Sequence, residues 1–246
     1  MPLRVGTWNV EYADSPATNE RRLKIMQENP ADIWVLTETH DSLAPKGFEA
    51  VHAPQRPMHG ARVKSRSRWV SIWSRFPIQE ITSPNLASER TVAAIVETPI
   101  GRWVVYGTVI PWHADRGRMG EQTKVKNWSE HHRVIPIQIE EWRALQEAYP
   151  DAGLCVAGDF NTDMGTGRIY GTKRGISLIN EGLNSLRLHC PTSPEHLPKN
   201  ALLRPPIDHI VIPQSWRSRA KVSSAFEGKV GKPRLSDHSG IVIEIG

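Results

Sequence analysis

Short apolar runs rich in Val, Ile and Trp recur along the whole chain: Leu3 to Val10, Ile33 to Leu36, Val70 to Ile72, Val92 to Val96, Trp103 to Ile110, Leu154 to Ala157, Ile207 to Ile212 and Ile241 to Ile245. Runs of this length and composition predict β-strands. Two segments carry a helical period instead. One is Asn19 to Glu28, capped by Thr18 or Asn19 and followed by Pro30; the other is His132 to Ala148, where Val134, Ile135, Ile139, Trp142 and Leu145 recur at close to one turn. The glycines from Gly165 to Gly175 read as a surface loop. Many strands with fewer helices, no internal repeat and no linker predict one layered α/β domain over residues 1–246, with two sheets or one large mixed sheet.

Composition narrows the class further. With 246 residues, 39% hydrophobic and 23% charged, and no apolar run of about 18 residues, the chain is not a membrane-spanning, collagen-like or wholly disordered protein. Cys155 and Cys190 make no disulfide framework and no zinc spacing, so both are expected reduced. The strand-like start, without a basic and apolar leader, suggests a cytoplasmic protein. An excess of 31 Lys and Arg over 26 Asp and Glu favours anionic partners. From Ala50 to Gln79 the chain carries Arg56, Arg62, Lys64, Arg66, Arg68 and Arg75 without an acid, and Arg217 to Arg234 is diluted only by Glu227. Either stretch reads as an anion-binding face or as a solvated surface.

Acids, amides and a histidine stand where the apolar strands stop. Asn9 ends the first run, Glu38 follows the second, and Asp159 and Asn161 follow Leu154 to Gly158. Asp208 lies within the seventh run, while Asp237 and His238 precede the last. Singly these are turn residues. Together, at the ends of strands in a layered α/β protein, they can converge in one crevice. Carboxylates and an amide oxygen are hard ligands suited to Mg²⁺ or Mn²⁺. An Asp with an Asn two residues later can hold one water, and a His completes the set needed for metal-assisted attack on a phosphoester.

These residues sit in Thr7-Trp8-Asn9-Val10, Leu36-Thr37-Glu38-Thr39, Gly158-Asp159-Phe160-Asn161, Ile207-Asp208-His209-Ile210 and Leu235-Ser236-Asp237-His238-Ser239. In that order and approximate spacing they resemble the endonuclease/exonuclease/phosphatase superfamily, from Thr7 to Ile245. The resemblance implies a four-layered α/β sandwich, two mixed β-sheets packed face to face with flanking helices. It implies metal binding by Asn9 and Glu38, with Asp237 a further metal-site or water-coordinating carboxylate. Asp159 and Asn161 would align or activate the attacking water, His238 would contact the scissile phosphate, and Asp208 would orient His238. The family position for a phosphate-reaching His or Tyr falls on Val109, which donates nothing, so His113 is the candidate substitute.

The expected activity is divalent-metal-dependent hydrolysis of a phosphodiester, with nucleic acid, DNA or RNA, as substrate. Arg62, Lys64, Arg66 and Arg68 are the expected phosphate contacts and Trp112 a stacking face; Trp69 reads rather as cover for a sheet. The alternative is a phosphatase or phosphodiesterase for a small or lipid phosphoester, such as an inositol phosphate or a sphingolipid. No membrane-docking segment is evident, and a monomer is compatible with the sequence.

Overall fold

The computed structural model describes residues 2–56, 64–82, 89–115, 126–165, 167, 169–229 and 234–246. In chain order these form β1 (Leu3–Asn9), α1 (Pro16–Glu28), β2 (Ile33–His40), β3 (Glu49–His52), β4 (Ser67–Ser74), β5 (Ile78–Glu80), β6 (Thr91–Thr98), β7 (Gly101–Val109), α2 (Ser129–Ala148), β8 (Gly153–Asp159), α3 (Lys173–Ser185), β9 (Leu188–His189), β10 (Asp208–Pro213), β11 (Ala220–Glu227) and β12 (Ser239–Ile245). Two six-stranded mixed sheets result, ordered β11-β12-β1-β2-β4-β3 and β5-β6-β7-β8-β10-β9. β1 pairs parallel with β2, and β7 parallel with β8, while the other pairs are antiparallel.

Side-chain alternation sorts the strands into layers. Leu3 and Val5 of β1, Cys155 and Ala157 of β8, Ile210 and Ile212 of β10, and Ile243 and Ile245 of β12 face one core between the sheets. The intervening residues face outwards. Trp8, Trp34, Leu36 and Val242 pack with Met26 of α1, whereas Val104, Tyr106, Leu154, Val156 and Val211 pack with Ile135, Ile139 and Trp142 of α2 and Ile179 and Leu183 of α3. Helix, sheet, sheet and helix pair therefore make four layers. Each fully buried Leu, Ile or Val contributes about 1.5–3 kcal/mol.

Some elements depart from the expectation. α1 begins at Pro16 with Ser15 in the N-cap position, because proline fits the first helical turn; the Asn19 amide instead donates to the Ala13 carbonyl at 2.6 Å. α2 begins at Ser129 and contains Pro136. The stretch expected as loop runs into α3, started by Thr172, whose hydroxyl accepts from the Gly175 amide at 2.9 Å. The helix's own glycines disguise it. A Cβ at Gly182 would lie 2.3 Å from Ile139 Cδ1, so this glycine serves close packing of α3 on α2. β11 is an edge strand of alternating polar pattern that a basic surface reading overlooks. Both cysteines are free and buried. No helix among the described residues is long and apolar enough to cross a membrane.

Candidate active site

The inner-face stripe of three strands ends in a polar residue at the same end of the sandwich. On β1 the sequence Val5, Thr7, Asn9 continues one alternation; on β8 it is Cys155, Ala157, Asp159; on β10 it runs backwards from Ile210 to Asp208. Asp159 and Asp208 are directly paired neighbours in register, and Val109 lies across from Asp159 on β7. All of Asn9, Asp159 and Asp208 are almost fully buried. Alternation from Val35 and Thr37 would turn Glu38 outwards with Trp34 and Leu36. Its backbone is instead left-handed, φ 48°, and its side chain lines the cleft. Such a conformation costs about 1–3 kcal/mol at a non-glycine residue and is held by the surrounding structure.

The short motifs act as ties between elements. Thr7 donates to the Val35 carbonyl at 3.1 Å, Trp8 donates its indole N–H to the His238 carbonyl at 3.2 Å, and Asn9 donates its amide to Asp159 Oδ2 at 3.1 Å. Asn9 therefore joins one sheet to the other. Ser236 donates to the Asn9 carbonyl at 2.6 Å and accepts from the His238 amide at 3.0 Å, and the Arg22 guanidinium of α1 clasps the Leu235 carbonyl. In Gly158-Asp159-Phe160-Asn161, Gly158 has φ 135°, and a Cβ there would lie 2.0 Å from the Thr108 carbonyl oxygen. Asn161 is left-handed at φ 50°; its N–H donates to Asp159 Oδ1 at 2.8 Å and its side-chain amide to the Ile110 carbonyl at 2.9 Å. That leaves the Asn161 side-chain oxygen for a water or a substrate.

Across the cleft His238 Nδ1 and Asp208 Oδ2 lie 2.6 Å apart, and Asp237 is 3.9 Å from His238 Nε2. Burial works against an imidazolium, yet the carboxylates of Asp208, Asp159 and Asp237 outweigh it and push the His238 pKa up. Burial also pushes Asp159 above the usual carboxylate range, reinforced by Asp208 and Glu38 and opposed by His238 and the Asn161 N–H. Glu38 is raised by burial as well, against Arg56, His238 and a hydrogen bond from Asn9. The second oxygen of Asp208, Oδ1, is buried without a partner among the described residues. Ligand atoms of Asp159, Asp208 and His238 fall within 4.8 Å of one another, a spacing that a metal ion can bridge. The two carboxylates of this group, one with an orphaned oxygen, are the hard oxygen donors that a divalent cation takes, whereas His238, charged beside them, is a hydrogen-bond donor and not a ligand.

The cleft encloses about 980 Å³. Glu38, Asp159, Asn161, Asp208, Asp237, His238 and Trp112 of the expected residues line it. Asn9 lies behind this surface, bonded to Asp159. His113 is not part of the lining but shares a hydrogen bond of 3.2 Å with the Tyr170 hydroxyl, and Tyr170 and Val109 both line the cleft.

The basic contacts differ from the expected ones. Arg62 lies outside the described residues. Lys64 pairs with Asp14 at 2.7 Å, and Arg66 and Arg68 pair with Asp41 at 3.4 and 3.0 Å; none of the three lines the cleft, because these acids draw them to other surfaces. The cations of the lining are instead Arg56, Arg90, Arg204 and Lys229. Arg56 lies 3.4 Å and Arg90 4.1 Å from the centre of the Trp69 ring, Arg90 also meets Asp115 at 2.6 Å, and one Arg56 nitrogen, Nη1, is buried without a partner among the described residues. Trp69 covers the intersheet core and lines the cleft at once. Arg56 carried a visible signal, its place in the acid-free stretch, but Tyr170 in a glycine-rich loop carried none.

Comparison with known proteins agrees with this geometry. No curated protein matches the chain significantly in sequence. Among solved structures, the 3′ phosphatase NExo from Neisseria, bound to a product DNA hairpin, superposes with a TM-score of 0.71 at 17% identity, covering 99% of this chain and 99% of that one. An AP endonuclease from Archaeoglobus fulgidus gives 0.68 at 14% identity, with 99% of each chain covered. Humanized TDP2 from D. rerio gives 0.63 at 16% identity, with 100% and 99% covered. The model of the endonuclease/exonuclease/phosphatase family matches residues 6–238, spanning every strand-end group of the cleft, so the chain belongs to that family of hydrolytic phosphoesterases.

Proposed function

We propose that the protein is a divalent-metal-dependent phosphodiesterase acting on nucleic acid. The observation that carries this reading is the closure of two buried pairs, Asn9 with Asp159 and Asp208 with His238, across the two sheets at the floor of one cleft. Glu38 and Asp237 of the lining, with the unpartnered Oδ1 of Asp208, are the groups that would hold Mg²⁺ or Mn²⁺, which when bound supplies charge neutralisation at the phosphoryl oxygens, while Asn9, its oxygen accepting the Glu11 N–H at 3.0 Å, braces them from behind. Asp159, held at one oxygen by Asn9 and at the other by the Asn161 N–H, accepts the proton of the attacking water, while the Asn161 side-chain oxygen orients that water. His238 stays protonated beside Asp208 and directs its Nε2–H at a phosphoryl oxygen, adding positive charge where negative charge grows. Arg56, braced on Trp69, presents a guanidinium to the same anion. The DNA-bound Neisseria relative supports nucleic acid as the substrate class.

The test is to offer supercoiled plasmid, single-stranded DNA, RNA, an abasic oligonucleotide and an inositol polyphosphate in parallel, with Mg²⁺, Mn²⁺ or EDTA. Cleavage of a polynucleotide that EDTA abolishes is the expected result. Turnover of the inositol phosphate alone would replace the proposal with the small-phosphoester reading.

A further inference from the structure

Among the described residues four large apolar side chains are strongly exposed: Trp112 at 51%, Ile137 at 47%, Ile169 at 67% and Leu203 at 89%. Trp112, Ile169 and Leu203 all line the catalytic cleft. They arrive on separate segments, after β7, after β8 and before β10. Exposed apolar residues that share the lining of one cleft mark a binding surface, whereas ones scattered over the molecule need no explanation.

Each segment is tied down by an internal anchor. His113 packs between Trp112 and Trp128, with ring centres 5.7 and 5.9 Å away, and its carbonyl accepts the Trp128 N–H at 2.8 Å. The buried carboxylate of Asp163 accepts the amides of Gly165, Ile169 and Tyr170. Leu203 donates its amide to Glu227 Oε1 at 2.7 Å, and the other oxygen of Glu227 accepts from Ser239 at 3.0 Å. The apolar groups are thus presented by ordered backbone, which lowers the entropy lost on binding.

We infer that Trp112, Ile169 and Leu203, with Tyr170, form a subsite for an unstacked nucleobase next to the phosphodiester, so that the substrate is single-stranded or frayed nucleic acid rather than continuous duplex. The inference rests on the phosphodiesterase reading above. A base in this subsite lies in the same cavity as the phosphoryl group on the cleft floor, so one nucleotide can occupy both. The mixture of indole, phenol and branched aliphatic faces around the charged Arg204 suits a planar, polar-edged ring; an acyl chain calls for a continuous apolar channel. The charge distribution points the same way. Among the described residues of the acid-free stretch, Lys64, Arg66 and Arg68 pair with Asp14 and Asp41, away from the cleft, and make no second row of phosphate contacts beside it of the kind a duplex uses. A cleft of about 980 Å³ engulfs a small unit, whereas a duplex passes over a surface.

The experiment measures equilibrium binding in EDTA by fluorescence anisotropy for wild type, Trp112→Ala and Leu203→Ser. The probes are a labelled single strand of about ten nucleotides, its blunt duplex, and a sugar–phosphate strand of the same length without bases. Wild type should prefer the single strand to both others. Each variant should weaken single-strand binding on the order of ten-fold and change base-free binding by less than about two-fold. Leu203→Ser alters an almost fully exposed side chain, so folding cannot account for its effect. Equal losses on the base-free strand, duplex binding as tight as single-strand binding, or phosphatidylcholine vesicles captured in place of oligonucleotide would each overturn the inference. Failure of the phosphodiesterase reading is seen separately, as absence of any Mg²⁺-dependent cleavage of these probes by wild type.

Discussion

Gly158→Ala isolates the backbone that aims Asp159. Gly158 and Gly101 both have strongly positive φ, 135° and 119°, so alanine at either position is strained by about 1–3 kcal/mol. The surroundings differ. At Gly101 a Cβ meets nothing within 4 Å, whereas at Gly158 it would stand 2.0 Å from the Thr108 carbonyl oxygen, its neighbour on the adjacent strand. Relieving that overlap requires β7 and β8 to part, an overpacking penalty of about 1–3 kcal/mol beyond the shared strain. For a chain of this size each kcal/mol lowers Tm by about 2–4 °C, so Gly158→Ala should melt about 2–12 °C below Gly101→Ala. Activity should separate them further. A displacement of about 1 Å at a reacting group costs on the order of 100-fold, and Asp159 directly follows the strained bond. The assay is scanning calorimetry of both variants alongside kcat on the substrate found by the panel above. Equal Tm values, or equal kcat, would refute the claim that Gly158 is there to let Asp159 reach the cleft.

Glu38→Gln should lose most activity at limiting Mg²⁺ and regain part at high Mg²⁺, because an amide oxygen is a weaker ligand than a carboxylate; Mg²⁺ titration of the rate checks this. Asp159→Asn and His238→Ala should each lower kcat by on the order of 100-fold or more, and the double variant should fall far short of the product of the two losses, as kinetics of all three will show. Metal-free protein should lose stability as pH rises from about 4 towards neutrality, because burial raises the Asp159 pKa above its unfolded value and the unfolded chain releases its proton first. Melting curves over that range should show a shallower slope for Asp159→Asn, and an equal slope would count against the assignment. Arg66→Ala with Arg68→Ala should leave the salt dependence of oligonucleotide binding almost unchanged, since Asp41 holds both side chains away from the cleft; a slope reduced by about 0.9 per residue would restore the acid-free stretch as a phosphate track.

Much of the site is legible before any coordinates because a strand's alternation is a local property. Val5, Thr7, Asn9 and Cys155, Ala157, Asp159 announce in one dimension that an inward-facing apolar stripe ends in a polar group, and the order of the short motifs identifies the chemistry. What a side chain meets across the fold is not local. Arg68 finds Asp41 only when β4 is laid beside β2, and Lys64 finds Asp14 across a still longer stretch of chain, which turns part of an apparent basic track into ion pairs. Glu38 enters the cleft only through a left-handed backbone that no residue pattern signals. Gly182 reads as a helix breaker until Ile139 of α2 is seen pressed against it. Tyr170 reaches the cleft because Asp163 folds a glycine-rich loop back on itself. Periodicity and motif order thus determined the layers and the polar groups that meet in the cleft, while ion pairing, backbone strain and loop anchoring, which depend on residues far apart in the chain, were decided by the tertiary structure.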